Sequence, residues 1–363
     1  MRVLHSESST GWGGQENRTL NEMVAMRERG HEMAVVSRPG ARILERGKEA
    51  GFQTFAVDMR GALDLPAILK LRRLMRDFRA DIVNTHSGRD TQLAGMAARS
   101  LGRTRPRIVR TRHLALPITS KFTYGTLPDK VVAVSSYVRN YLVSAGIPPL
   151  QVVSIPTGID LSRYTPQAGG GTLRSELNLP VGTILVGTVA ILRVKKGHAD
   201  LLRAAQNVLA EFPETHFVIA GDGPQTENLL RLIGELGLQT RVHMLGLRRD
   251  VMNVLQSLDL FVLPTHQEAL GTAFIEAGAV GLPVVATEVD GVPEVVVNDE
   301  TGVLVPPKNP PALAQAIIGL LGDPVRRRAF GDNARRRMGS EFSREVMAQR
   351  METLYAELQE QRH

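Results

Sequence analysis

Glu268 and Glu276, with seven residues between them, are the pair whose type and spacing suggest chemistry: carboxylates placed to accept hydrogen bonds from hydroxyl groups. Residues 259–264 (Asp-Leu-Phe-Val-Leu-Pro) read as a short apolar strand that Pro264 ends. Residues 265–272 form a loop containing Glu268 and Gly271, and 273–280 a short helix with Thr272 as its N-cap. Gly281-Leu282-Pro283 stops that helix, Val284 opens another strand, and a loop follows at 290–294. Strand, loop, helix, strand is the unit of a parallel sheet, whose ligands sit beyond a strand's C-terminal end. The first amides of the helix have no partner there, and its dipole adds roughly half a positive charge. Gly271 permits close approach of the backbone to a phosphate. These features predict a phosphate beside Leu270, Gly271 and Thr272, with Glu268 next to it and Glu276 reaching toward a sugar hydroxyl. A surface-loop acid and a first-turn glutamate that complements the dipole would produce the same letters, so support has to come from elsewhere in the chain.

A second cluster is cationic. A strand at 183–190 runs into a loop carrying Arg193, Lys195 and Lys196, then a helix at 199–211. Crowded cations call for an anion, and a diphosphate would serve; an idle surface patch is the alternative. Gly221, Asp222 and Gly223 form a turn with backbone groups available to a ligand, and the strand ending near Leu247 and Arg248 could read a base edge. In the first half, Gly13 and Gly14 lie in a loop between a strand at 3–5 and a helix at 15–29. Their spacing does not match G-x-G-x-x-G, which disfavours a dinucleotide and leaves a phosphate-approaching loop or a plain turn. His113 ends the strand at 107–113, where substrate groups usually lie, although a lone histidine is often structural.

The elements that must position these residues alternate strand and helix through both halves of a 363-residue chain, long enough for two cored domains. Pro166 and the glycines at 169–171 mark a flexible join, giving domains at 1–165 and 172–342. A final helix at 343–363 presents Val346, Met347, Met351, Leu354, Tyr355 and Leu358 on one face and is expected to pack on the body. No apolar run approaches the roughly 20 residues of a membrane span, the N-terminus lacks a signal-peptide core, and cysteine is absent. A cytoplasmic protein is the expectation. Residues 1–163 hold 25 Lys and Arg against 14 Asp and Glu, so the first half is basic and suggests an anionic partner. The basic amphipathic helix at 65–79 reads either as a solvated face over a core stripe or as an interfacial helix on anionic lipid. The few aromatics are not interleaved with the basic clusters, which argues against nucleic acid.

Taken together, Glu268 and Glu276, the segment Gly281-Leu282-Pro283, Gly291-Val292-Pro293-Glu294, Arg193 with Lys196-Gly197, and Gly221-Asp222-Gly223-Pro224 resemble the family 4 retaining glycosyltransferases of the GT-B fold. Gly13-Gly14, His113 and Ile155-Pro156-Thr157-Gly158 resemble that family's N-terminal landmarks. The resemblance implies an α/β chain of two Rossmann-like domains facing a deep cleft, with a nucleotide-sugar donor held mainly by the second and the last helix crossing back to the first. It implies Glu268 on the donor sugar, Glu276 on the ribose, and Arg193 and Lys196 on the diphosphate, joined by amides around 270–272 and by Gly14. It places His113 near donor sugar and acceptor, and Leu247 and Arg248 beside the base. Two departures stand out: Arg193 is only three residues before Lys196, where five or six is common, and Thr157 replaces the usual Asn. No D-x-D pair closes a strand, so neither metal nor cofactor is implied. The expected partners are a UDP- or GDP-linked sugar and a cell-envelope glycan or lipid-linked acceptor, reached at the cytoplasmic face of the inner membrane. A nucleotide-sugar 2-epimerase or hydrolase shares the shape; a glycosidase would also use two acids but would not need the Lys/Arg loop.

Overall fold

The computed structural model describes residues 1–114, 116–166 and 170–361. The chain divides into two compact units, one formed by Met1–Ile159 with Glu341–His363 and the other by Asp160–Ser340. Each is built on a parallel sheet, as both predicted alternations require.

In the first unit the strands are β1 (Arg2–Glu7), β2 (Glu32–Ser37), β3 (Gln53–Ala56), β4 (Ile82–Thr85), β5 (Arg107–Arg112), β6 (Lys130–Ala133) and β7 (Val152–Ser154). They lie side by side as β3-β2-β1-β4-β5-β6-β7, every pair parallel. In the second they are β8 (Leu185–Val189), β9 (His216–Ala220), β10 (Val242–Gly246), β11 (Leu260–Leu263), β12 (Val284–Thr287) and β13 (Gly302–Val305), ordered β10-β9-β8-β11-β12-β13. Strands β4, β11 and β12 are buried along their whole length, the mark of sheets covered by helices on both faces. Both sheets reverse direction of winding once, between β1 and β4 and between β8 and β11. Those two switch points open the crevices where doubly wound folds hold ligands.

Helix ends follow local chemistry. The Asp64 carboxylate accepts from the Ala67 amide (3.2 Å) to start Leu65–Asp77, and Arg79 turns left-handed (φ 53°) just beyond. Ser135 starts Ser136–Ser144 by accepting from the Val138 amide. The last helix, Arg344–Glu360, buries Met347, Met351, Leu354, Tyr355 and Leu358 in the first unit's core with Val3, Met23 and Val109. The helix Gly88–Arg99 and the strand Gln53–Ala56 escaped the sequence reading. Glycines and polar residues interrupt the helix, and the strand lies on a sheet edge with its ends exposed.

The division between the units falls upstream of the glycines. Gly169 lies outside the described residues. Gly171 is no loose linker, because a Cβ there would overlap the Ser257 hydroxyl and the Asn253 carbonyl oxygen. Residues 161–164 belong to the second unit, where the Tyr164 hydroxyl bonds Glu276. Among the described residues no helix is long and apolar enough to cross a membrane.

Candidate active site

In the second unit the sheet order puts β8 beside β11, so the cationic loop after β8 and the acidic loop after β11 emerge together. Backbone contacts then lock them. The His266 amide donates to the Lys195 carbonyl (2.6 Å), and the Thr265 hydroxyl donates to the same oxygen (2.9 Å). Gly197 is left-handed (φ 71°), and a Cβ on it would overlap the Pro264 carbonyl oxygen. Only glycine lets the two loops close at this point.

That closure brings Lys196 and Glu268 into a direct ion pair, with their side chains 14% and 17% exposed. Glu268 is held further by its own backbone, since its amide donates to Asp290 Oδ2 (2.9 Å) and its carbonyl accepts from the Gly291 amide (3.0 Å). The crowded cations therefore meet an internal carboxylate. Arg193 is exposed and forms no ion pair with any described residue, so its charge is available to an anion. Behind this pair, His266 Nε2 meets Asp200 Oδ2 at 2.6 Å, and Asp200 also meets Arg203. His198 is buried with neither ring nitrogen hydrogen-bonded among the described residues; burial first, and the Lys196 charge second, lower its pKa to about 4. It is neutral at physiological pH.

The helix after Glu268 runs over Thr272–Val280, with Gly271 (φ 99°) as the N-cap in place of the expected Thr272. A Cβ at Gly271 would collide with the Phe274 ring, whose edge packs on Phe261 with centroids 6.1 Å apart. The amides of Thr272 and Ala273 lie in the first turn, where helix geometry offers them no carbonyl. Leu270 is buried beneath them. One turn on, Glu276 is partly buried and accepts from the Tyr164 hydroxyl. Desolvation raises the Glu276 pKa to about 7. Burial together with the Glu276 charge lifts the Tyr164 phenol well above its ordinary range, so the phenol is the donor in that pair.

Gly221 and Gly223 take extended positive-φ conformations (150° and 158°), and a Cβ on either would run into backbone oxygens of Ala190 or Leu192. Asp222 folds this turn back on itself by accepting from the Gly223 amide (2.7 Å) and the Thr226 hydroxyl (3.2 Å). The loop after β9 is thereby zipped to the loop after β8: Leu192 N donates to Asp222 O, and Gln225 N to Leu192 O, both at 3.0 Å. Leu247 is exposed, whereas the Arg248 guanidinium is taken by Glu176 (2.9 Å) and Asp250 (2.6 Å). Only the Arg248 backbone is left for another role.

In the first unit the corresponding switch point is lined by histidines. His113 follows β5, His86 follows β4 and His5 lies in β1, so three adjacent strands bring the rings together. His5 Nδ1 is 2.9 Å from His86 Nε2, and His86 Nδ1 is 3.0 Å from His113 Nε2. Burial lowers all three pKa values, those of His86 and His113 well below the ordinary range. Gly13 caps the helix Gly14–Glu28 with extended backbone (φ −161°) and donates its amide to Glu16 (2.8 Å). A Cβ at Gly14 would meet nothing within 4 Å, so this glycine faces open space.

The sequence reading singles out His113 but neither His86, which likewise directly follows its strand, nor His5, which lies within β1. It also passes over Tyr164, Asp290 and the His266–Asp200 pair. Only the strand-end position of His86 is visible in the sequence; the others act through contacts between distant segments.

Comparison with known proteins accounts for both units. Residues 171–337 match the family model for glycosyl transferases group 1, and residues 12–163 match the model for glycosyltransferase family 4. The chain is 26% identical over 312 residues to the UDP-Gal:alpha-D-GlcNAc-diphosphoundecaprenol alpha-1,3-galactosyltransferase of Escherichia coli, covering 81% of this chain and 80% of that one. It is 30% identical over 239 residues to the GDP-mannose-dependent monoacylated alpha-(1-6)-phosphatidylinositol monomannoside mannosyltransferase of Corynebacterium glutamicum, a match spanning 62% of each protein. In fold it is similar to HepE of Anabaena in complex with UDP (TM-score 0.87, 22% identity, 98% of this chain and 100% of that one). A glycosyltransferase from Rickettsia africae is similar too (TM-score 0.86, 22% identity, 98% of both). The two models between them cover nearly the whole chain, and the protein belongs to the group 1, family 4 glycosyltransferases of the GT-B fold.

Proposed function

We propose that this enzyme transfers a sugar, with retention of anomeric configuration, from a UDP- or GDP-linked donor to a cell-envelope glycan or lipid-linked acceptor, without a divalent metal. The observation that carries the reading is the Lys196–Glu268 pair beside the open helix N-terminus at Gly271. A donor diphosphate fits against the Thr272 and Ala273 amides with Lys196 and the exposed Arg193 alongside. Its arrival draws Lys196 from the carboxylate to the phosphate and leaves Glu268 free to accept from sugar hydroxyls. As the glycosidic bond breaks, negative charge grows on the departing diphosphate, and fixed cations stabilise that charge more than the ground state. They supply the positive charge that a metal supplies elsewhere. Retention then follows if the acceptor hydroxyl attacks from the face the diphosphate leaves.

Glu276 and its Tyr164 partner suit a ribose, whose hydroxyls donate to a carboxylate. Gly221, Asp222 and the Leu247–Arg248 backbone lie at the ends of β9 and β10 of the same sheet, a reach suited to the base. Support for donor and acceptor class comes from the relatives, which use GDP-mannose and UDP-galactose and act on a phosphatidylinositol mannoside and a diphosphoundecaprenol lipid. The basic helix Leu65–Asp77 suits an approach to anionic lipid headgroups. The test is a screen of UDP-, GDP- and ADP-sugars for thermal stabilisation, followed by transfer assays with the stabilising donor. Turnover of donor to an epimer without any acceptor would replace this reading with an epimerase.

A further inference from the structure

We propose that His5 and His86 are positioning residues: they hold His113 in a single neutral tautomer, proton on Nε2 and lone pair on Nδ1, and the buried Glu22 carboxylate sets that choice.

A neutral imidazole carries one N–H, so a ring joined to a neighbour at each nitrogen donates through one and accepts through the other. The 2.9 Å and 3.0 Å contacts join the three rings nitrogen to nitrogen. Every link must then point the same way: toward His113 or toward His5. His5 and His86 are almost completely buried, and desolvation keeps all three rings neutral. Nothing in the triad itself selects a direction.

Glu22 breaks the tie. Its Oε1 lies 3.7 Å from His5 Nε2, an electrostatic contact and not a hydrogen bond. Neither His5 Nε2 nor Glu22 Oε2 has a hydrogen-bond partner among the described residues. A proton on His5 Nε2 is attracted by this carboxylate; a bare lone pair there is repelled by it.

A second directed chain ends on the same Glu22 oxygen as its final acceptor. The Thr111 hydroxyl donates to Asn84 Oδ1 (3.0 Å), Asn84 Nδ2 to the Tyr355 hydroxyl (2.9 Å), and that hydroxyl to Glu22 Oε1 (2.7 Å). Burial pushes the Tyr355 phenol far above its usual range, so it keeps the proton it donates. Arg18, one turn earlier on the same helix, supplies the countercharge, and its field together with those of Arg110 and Arg112 disfavours an imidazolium at His113. With His5 donating toward Glu22, His86 donates to His5 and His113 to His86. The nitrogen left on His113 is an acceptor, which suits a donating sugar hydroxyl; that last step rests on the function proposed above.

The test uses the full-length protein labelled with ¹⁵N-histidine, free of donor, at pH 8. Long-range ¹H–¹⁵N spectra read the tautomer of each ring, and loss of one signal in His113→Gln assigns His113. The expected spectrum has His5, His86 and His113 all protonated on Nε2. A proton on His113 Nδ1, or a charged His113 ring, overturns the proposal. Glu22→Met, two rings away, is expected to give His113 mixed tautomers and to lower kcat/KM about tenfold, the worth of roughly one hydrogen bond; an unmoved His113 signal overturns it. If that variant fails to fold, the wild-type spectrum decides. The spectrum needs no turnover, so it is independent of the transfer reading: full activity in His113→Ala alongside the expected tautomer supports the relay and removes only the sugar contact.

Discussion

Lys196 and Glu268 stand 72 positions apart in the chain, yet their ammonium and carboxylate form a direct ion pair largely out of water. The cation that the proposed function assigns to the diphosphate and the acid it assigns to the sugar neutralise one another here, which lowers the cost of holding either alone.

Replacing Lys196 with alanine is expected to lower kcat by about 10²–10³, because the lost cation acts mainly on charge developing in the transition state. Steady-state kinetics at saturating donor check this. Near-normal turnover would remove Lys196 from the chemistry.

Donor affinity should depend on pH through Glu276. Burial raises its pKa to about 7, so below that value the acid holds a proton and accepts poorly from ribose hydroxyls. Affinity is therefore expected to rise as pH increases through 7 and to level off above it. Glu276→Gln should flatten this profile and cost about 1–3 kcal/mol of binding at pH 8. Calorimetric titration of the nucleoside diphosphate from pH 6 to 8.5 reads both effects, and a wild-type affinity independent of pH would dismiss the assignment.

Gly197→Ala should destabilise the second unit by about 1–3 kcal/mol, since φ 71° and the Pro264 carbonyl both oppose a side chain there. Donor-site function should fall with it, because the Lys196 and Glu268 loops separate. Chemical denaturation and donor titration of the same variant measure the two together. An unchanged unfolding midpoint would show that the contact is soft.

Glu7 gives a stability prediction with a definite sign. Burial first, and Asp90 second, raise its pKa from the ordinary 4.5 to about 8. Between these values the folded chain keeps a proton that the unfolded chain has lost, so the Glu7 contribution to stability declines as pH climbs from about 4.5 to about 8. Glu7→Gln should therefore raise the melting temperature at pH 9 and change it little at pH 4. Calorimetry at the two pH values decides it; equal shifts at both would contradict the titration.

Transfer activity is expected to survive EDTA without loss, because lysine, arginine and helix amides carry the diphosphate charge in the proposed mechanism. A strict requirement for added magnesium or manganese would refute metal independence.

The letters alone determined a good deal. Apolar runs of four to six residues alternating with amphipathic stretches specify parallel sheets, because a strand covered on both faces must be apolar throughout; β11 and β12 show this plainly. Local spacing likewise brought out Lys196, Glu268 and His113 just beyond strands and Glu276 early in the helix that follows, places that depend only on the elements beside them. Tertiary structure decided how those residues are wired. Strand order, which no local pattern encodes, sets β8 against β11 and puts β4 between β1 and β5, and so pairs Lys196 with Glu268 and lines up His5, His86 and His113. Tyr164 on Glu276, Asp290 on the Glu268 amide and Tyr355 on Glu22 are contacts between segments far apart in the chain. Burial then raises the pKa values of Glu276, Tyr164 and Tyr355 and lowers those of the three histidines, and burial exists only after the chain has folded.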